Sequence, residues 1–219
     1  MAARGLRVIG GTARGIELRV PKGGGTRPTT GRLREALFAM LEAAEVSFAE
    51  VLDLYAGSGA LGIEALSRGS GNATFVESDR QAGRLIRENL ERTRFETRGG
   101  VIVDRVGRWR PPEGIRYTLI LADPPYRESI RALRGGRAYD GGARDEGESS
   151  ESDSVAPLGS PWREVQATVD GSLSEDAAIV VEHDAGQVAP DALAGLTLWR
   201  DRRHGAEAVA IYRPAQSDG

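Results

Sequence analysis

From Val51 onward the chain repeats one rhythm: a short apolar run, a turn, then a segment at helical spacing. VLDL at 51–54 reads as a buried strand, YAGSG at 55–59 as its turn, and ALGIEALSRG as a helix closed by Gly69. ATFVE at 73–77 is a second strand, and Ala82, Leu85, Ile86 and Leu90 mark the next helix. VIV at 101–103, TLILA at 118–122 and AAIVVE at 177–182 supply three more strands. Apolar strands alternating with helices must be covered on both faces, so the pattern predicts an α/β fold with a doubly wound, mostly parallel sheet. The end breaks the rhythm: LTLWRDRRHGAEAVAIYR reads as two strands around a glycine turn, a C-terminal antiparallel hairpin closing the sheet.

The N-terminal part reads differently. Ile16, Leu18 and Val20 alternate with Glu17 and Arg19, and Gly10, Gly11 and Gly15 supply turns, which predicts a small N-terminal β-hairpin over 7–20. KGGGTRPTTG is a loop by composition, and Thr29 or Thr30 can cap a helix that lines up Leu33, Ala36, Leu37, Met40, Leu41 and Ala44. Arg32, Arg34 and Glu35 are expected off that apolar face, near the helix start, where cations oppose the helix dipole.

Charge divides the chain. Its 219 residues carry a net −3, yet residues 1–34 hold eight basic residues against the single acid Glu17, a local +7. Such asymmetry steers polyanions. The expected organisation is therefore a basic section over 1–34, a main domain over 35–213 and a disordered tail over 214–219. Residues 135–160 hold six glycines, five serines and six acids with few large apolar side chains; they are expected to form a disordered insertion within the main domain. With no cysteine and two histidines, disulfides, thiolate metal sites and cysteine nucleophiles are excluded, and no metal is expected. No apolar run approaches the roughly 18 residues of a membrane span, nor does the start carry a signal-peptide core, so the expected setting is cytoplasmic.

Two motifs carry chemistry. Asp53-Leu-Tyr55-Ala-Gly57-Ser-Gly59-Ala-Leu-Gly62 places glycines between a strand and a helix N-terminus, where backbone can approach a ligand closely. Glu77 ends the next strand, where a carboxylate can accept both hydroxyls of a ribose. The glycine spacing also fits the dinucleotide fingerprint of a nicotinamide-dependent oxidoreductase. Asp53 weighs against it: an acid is out of place beside a pyrophosphate but suits the ammonium and sulfonium of S-adenosylmethionine. The spacing D-x-x-x-G-x-G is that of class I methyltransferases.

The second motif is Asp123-Pro124-Pro125-Tyr126, after the fourth strand. An exocyclic amine on a nucleobase is a poor nucleophile because its lone pair is delocalised into the ring. Accepting its N–H groups on the Asp123 carboxylate and the Pro124 carbonyl would orient that lone pair toward a methyl donor. Tyr126 would stack on the base, a contact worth about 1–3 kcal/mol.

These stretches resemble the bacterial 16S rRNA guanine-N2 methyltransferases, the RsmD family. The matching segments are RVIGGTARG at 7–15, RPTTGRLREALF at 27–38, DLYAGSGALGIEALSRG at 53–69, FVESDR at 75–80, ADPPY at 122–126 and VVEH at 180–183. The resemblance implies a class I methyltransferase (Rossmann-like) fold and S-adenosyl-L-methionine as cofactor, held by Asp53, Tyr55, Gly57, Gly59 and Glu77. Asp104 would be the candidate adenine-side contact, although VIVDRVGRW departs from the family's pattern there. Asp123, Pro124, Pro125 and Tyr126 would carry the catalysis. Arg14, Arg27, Thr29, Arg32 and Arg34 would face RNA, either 16S rRNA or the assembling 30S subunit, with the protein acting as a monomer. A DNA adenine-N6 or cytosine-N4 methyltransferase would share the catalytic motif but needs a larger target-recognition domain. A non-catalytic rRNA-binding assembly factor is the remaining alternative. His183 and His204 are assigned no catalytic role.

Overall fold

The computed structural model describes residues 5–21, 31–69, 71–125 and 161–215. The expected insertion over 135–160 and most of the expected tail lie outside them. The described strands are β1 (Glu50–Leu54), β2 (Asn72–Glu77), β3 (Gly99–Val103), β4 (Tyr117–Ala122), β5 (Leu173–Asp184), β6 (Ala192–Leu193), β7 (Leu196–His204) and β8 (Glu207–Arg213). They form one sheet in the order β3-β2-β1-β4-β5-β8-β7-β6. β1 to β5 are mutually parallel, whereas β8 runs antiparallel between β5 and β7.

Four helices are described: α1 (Gly31–Ala43), α2 (Ala60–Arg68), α3 (Arg80–Thr93) and α4 (Pro161–Val169). Side chains from α1, α2 and α3 share one buried cluster with one face of the sheet, including Phe38, Ile63, Ile86, Leu119 and Ile211. α4 packs Trp162, Val165 and Val169 on the other face against Leu54, Ile120, Ile179 and Tyr212. Parallel strands linked by helical crossovers are covered on both faces, so their side chains are apolar in both directions. The doubly wound sheet and its closing hairpin are as the sequence pattern predicts. α4 was not anticipated, although Trp162, Val165 and Val169 sit at helical spacing. Among the described residues, no helix is long and apolar enough to cross a membrane.

The N-terminal segment is a short antiparallel hairpin whose turn docks on α2. One antiparallel bridge joins Arg7 and Glu17, with Val8 N–H donating to the Ile16 carbonyl at 3.0 Å. The ladder stops because the next backbone groups bond to α2 instead. The Glu64 carboxylate accepts the amides of Ile9 and Gly10, each at 2.8 Å, and the Thr12 amide donates to the Ser67 carbonyl at 2.8 Å. Gly11, at φ +73°, passes so close that a Cβ there would meet the Ser67 carbonyl oxygen at 1.8 Å. Val8, Ala13 and Leu18 join the same apolar cluster as α1, so the segment shares the core of the main body. The boundary expected at residue 34 falls inside α1.

Candidate active site

The strand order reverses between β1 and β4, which are direct neighbours paired Leu54 to Ala122. Open α/β sheets bind ligands at such a switch point, beyond the carboxyl ends of the strands. The glycine turn after β1 and the Asp123-Pro124-Pro125 segment after β4 therefore leave the sheet side by side. The Asp123 N–H points back to the Leu54 carbonyl at 3.5 Å.

Asp53 is only 1% exposed, and its carboxylate accepts the Gly62 amide at 2.8 Å. A Cβ at Gly62 would lie 2.4 Å from Phe75 and 2.9 Å from the Asp53 carboxylate, so only glycine lets α2 start this close to β1 and β2. Burial pushes the Asp53 carboxyl up to about 8, with the Gly62 hydrogen bond partly opposing and Glu77 adding to the shift. Gly59 caps α2 in the left-handed region at φ 76°.

Glu77 ties the end of β2 to this loop. One carboxylate oxygen accepts the Gly57 amide at 2.9 Å and the other the Asp79 amide at 2.8 Å. The oxygen facing Asp79 also accepts the Ser78 hydroxyl at 3.4 Å, whereas the one facing Gly57 has a single donor and keeps a lone pair for a ribose hydroxyl. Around Gly57 the space is open: a Cβ would meet only the Tyr55 carbonyl, at 3.8 Å. Asp104 follows β3 beside it, its amide donating to the Glu77 carbonyl at 3.1 Å. Its side chain accepts the Arg105 amide and lies 3.9 Å from Arg108.

Tyr55 adopts φ 58°, uncommon for a residue with a Cβ, and donates its phenol to Glu164 of α4 at 2.5 Å. Burial and Glu164 both hold that phenol protonated. Asn89 is fully buried on α3, accepting the Arg19 amide at 2.8 Å while donating to the Arg19 and Ser58 carbonyls at 3.0 and 2.9 Å. It thus joins the N-terminal segment to the glycine turn. Sequence reasoning missed both Glu164 and Asn89. A polar residue inside the helical pattern of Ile86 and Leu90 was the available signal for Asn89; nothing linked Glu164 to Tyr55.

At the end of β4, Asp123 is partly exposed, Pro124 buried and Pro125 exposed. Neither proline has an N–H, so the segment offers acceptors only. Tyr126, Arg27 and Thr29 lie outside the described residues. Arg14 and Arg32 are exposed.

Arg34 corrects an expectation. It is 1% exposed and stands on the flank of the buried face of α1, not on a surface available to RNA. Its guanidinium lies 3.6 Å from Glu64 and donates to the Arg7 carbonyl at 2.5 Å. Burial lowers its pKa, with Glu64 partly offsetting. A buried partner, rather than helix stability, accounts for this cation near the helix start. His183 is also buried, with one ring nitrogen at the Asp184 carbonyl (3.0 Å) and the other at the Asp201 carboxylate (3.2 Å).

A family model described as conserved hypothetical protein 95 matches residues 6–134. The ribosomal RNA small subunit methyltransferase D of Escherichia coli (strain K12) is 40% identical over 125 residues, covering 57% of this chain and 62% of that protein. The chain thus spans under two thirds of that relative's length. A putative rRNA methyltransferase of Bacillus subtilis (strain 168), YlbH, is 31% identical over 212 residues, 95% of this chain and 98% of that one. Among solved structures, the putative methyltransferase yhhF from Escherichia coli superimposes with a TM-score of 0.68 at 32% identity, over 96% of this chain and 98% of that chain. An RNA methyltransferase from Salinibacter ruber in complex with S-adenosyl-L-homocysteine shares the fold, with a TM-score of 0.51 at 17% identity over 87% of this chain and 96% of that one.

Proposed function

This chain belongs to the conserved hypothetical protein 95 family, the RsmD family of class I methyltransferases, and from that premise we propose that it methylates the exocyclic N2 of a guanine in 16S rRNA, using S-adenosylmethionine. The observation that carries the reading is the pairing of β1 with β4, which sets an acceptor-only Asp123-Pro124-Pro125 segment beside an open glycine turn. One loop suits a cofactor and its neighbour an amine.

The residues present fit the cofactor. The open space at Gly57 and the Glu77 oxygen beside it would receive the adenosine portion, with Asp104 at the adjacent strand end. Asp53 stands behind the glycine turn, where its carboxyl accepts the Gly62 amide and holds the start of α2 against β1. When bound, S-adenosylmethionine supplies an electrophilic methyl group on sulfur.

Asp123 and the Pro124 carbonyl would accept the two N–H groups of the guanine amine and aim its lone pair. Tyr126 would stack on the base, which must leave its own stack or come from a loop. After transfer the secondary amine loses its proton to water, so no side chain has to act as a base of matched pKa. Arg14 and Arg32 present positive charge to the phosphate backbone.

The test is methyl transfer by the purified full chain from labelled cofactor to 30S subunits lacking the mark, with the product nucleoside identified. Label in N2-methylguanosine is expected. No incorporation, or label in another nucleoside, contradicts the reading. Thermal stabilisation by S-adenosylhomocysteine and not by NAD separates it from an oxidoreductase.

A further inference from the structure

We propose that the tip of the β7–β8 hairpin is a second RNA-contacting surface, in which Arg202 and Arg203, supported by Arg200, hold the phosphate backbone of the substrate strand beside the catalytic segment. The proposal rests on the rRNA methyltransferase reading above and extends its binding surface across the strand ends to β7 and β8.

Register places the hairpin. Ala122 pairs with Val181, Val181 with Ala210, and Ala210 with Asp201. Arg202 and Arg203 therefore stand one and two residues beyond the level of Ala122, at the same height as Asp123 and Pro124. Three strand spacings, about 14 Å, separate them across the sheet. That is a span of a few nucleotides.

These cations are available. Arg200, Arg202, Arg203 and His204 are all exposed, and among the described residues no acid lies within ion-pair distance of the three arginines. Asp201, the acid between them, is engaged by His183 at 3.2 Å. Glu207 opposes His204 at the tip. Arg200 is braced over the Trp199 ring, 4.3 Å from its centroid, and Arg213 lies 5.4 Å from the same ring. Arg200 and Arg202 pair with Ile211 and Val209, which face the cluster containing α1 and the basic N-terminal segment. Arg200 and Arg202 thus share a face with the N-terminal segment, while Arg203, paired with Ala208 next to the tip, alternates to the other side and lets the hairpin end present cations on both.

A competing use exists for these charges. Among the described residues β6 pairs only with Leu196 and Thr197 and nothing pairs with the outer edge of β7 from Arg200 to His204, and charged side chains guard such edges against pairing. Charge reversal separates the two roles, because glutamate guards an edge as well as arginine but repels phosphate.

The experiment measures binding of an unmodified 16S rRNA transcript to the full chain at several salt concentrations. The Arg202→Glu/Arg203→Glu pair should weaken binding at least tenfold and reduce the salt slope by about 1.5, the value for two lost phosphate contacts. It should remain monomeric, melt as the wild type does and bind S-adenosylhomocysteine unchanged. The Arg94→Glu/Arg116→Glu pair, on the segments leading into the amino ends of β3 and β4 and so away from the catalytic end, should change binding less than twofold. Equal losses from both pairs would reduce the effect to net charge and overturn the proposal. Unchanged binding and slope in the hairpin pair would overturn it too, as would self-association of Arg202→Gln/Arg203→Gln with RNA binding intact. Methyl transfer by the wild type alongside any of these outcomes leaves the methyltransferase reading standing and removes only this surface.

Discussion

The guanidinium of Arg34 lies 3.6 Å from the carboxylate of Glu64, with neither side chain more than 2% exposed. The same carboxylate receives Arg68 at 2.8 Å and the amides of Ile9 and Gly10. One buried anion therefore fastens α1, α2 and the N-terminal segment together, and the helix that follows the basic section is positioned by charge as much as by apolar contact.

Removing Glu64 should be far worse than removing Arg34. Glu64→Ala strands a buried guanidinium and two part-buried amides, a loss of about 3–5 kcal/mol. Arg34→Met leaves Glu64 with Arg68 and both amides, and should cost less than half as much. Urea unfolding of the two variants checks the order, and equal costs would remove Glu64 from its central place.

Gly62→Ala should destabilise the protein by about 1–3 kcal/mol, because its Cβ would meet Phe75 and the Asp53 carboxylate and force the start of α2 outward. Since the same turn is the proposed cofactor loop, S-adenosylhomocysteine affinity should fall as well. Calorimetry on the folded variant reads that loss; unchanged affinity would place the cofactor elsewhere.

Asp53 predicts a pH dependence. Its folded-state carboxyl lies near 8 against 3.8 for an ordinary aspartate, so between those values the folded protein keeps a proton that the unfolded chain has released. The stability this group contributes is complete below about pH 4 and is lost as pH rises toward 8. Asp53→Asn does not ionise, so its melting temperature relative to wild type should climb over that interval. A difference independent of pH would contradict the assignment.

Tyr55→Phe removes the hydrogen bond to Glu164 and should cost about 1–2 kcal/mol, the range for a partly buried bond to a charged acceptor. Glu164→Gln keeps an acceptor and should cost less. Thermal unfolding of both variants tests whether this bond couples the glycine turn to α4.

What was legible in the sequence is what local pattern determines. Short apolar strands and the glycine spacing after Leu54 announce a parallel sheet with a ligand turn, and the adjacent ends of β1, β2 and β4 bring Gly57, Glu77 and Asp123 to one edge. Contacts made by long-range docking were not legible. Nothing near Arg34 in the chain signals Glu64, thirty residues on, so the arginine read as a surface cation. The N-terminal alternation read as a hairpin, and Val8, Gly15 and Leu18 do bond across it, but the amides of Ile9 and Gly10 in its turn bond to α2, a docking that only the three-dimensional packing decides.

The most direct test of the central claim is mass spectrometry of 16S rRNA from cells with the gene intact, deleted, and restored as wild type or as Asp123→Ala. The account predicts that deletion removes N2-methylation from one guanine, that the wild-type gene restores it, and that Asp123→Ala does not restore it although the purified variant still binds S-adenosylhomocysteine. An unchanged 16S rRNA after deletion, or full restoration by Asp123→Ala, would contradict it.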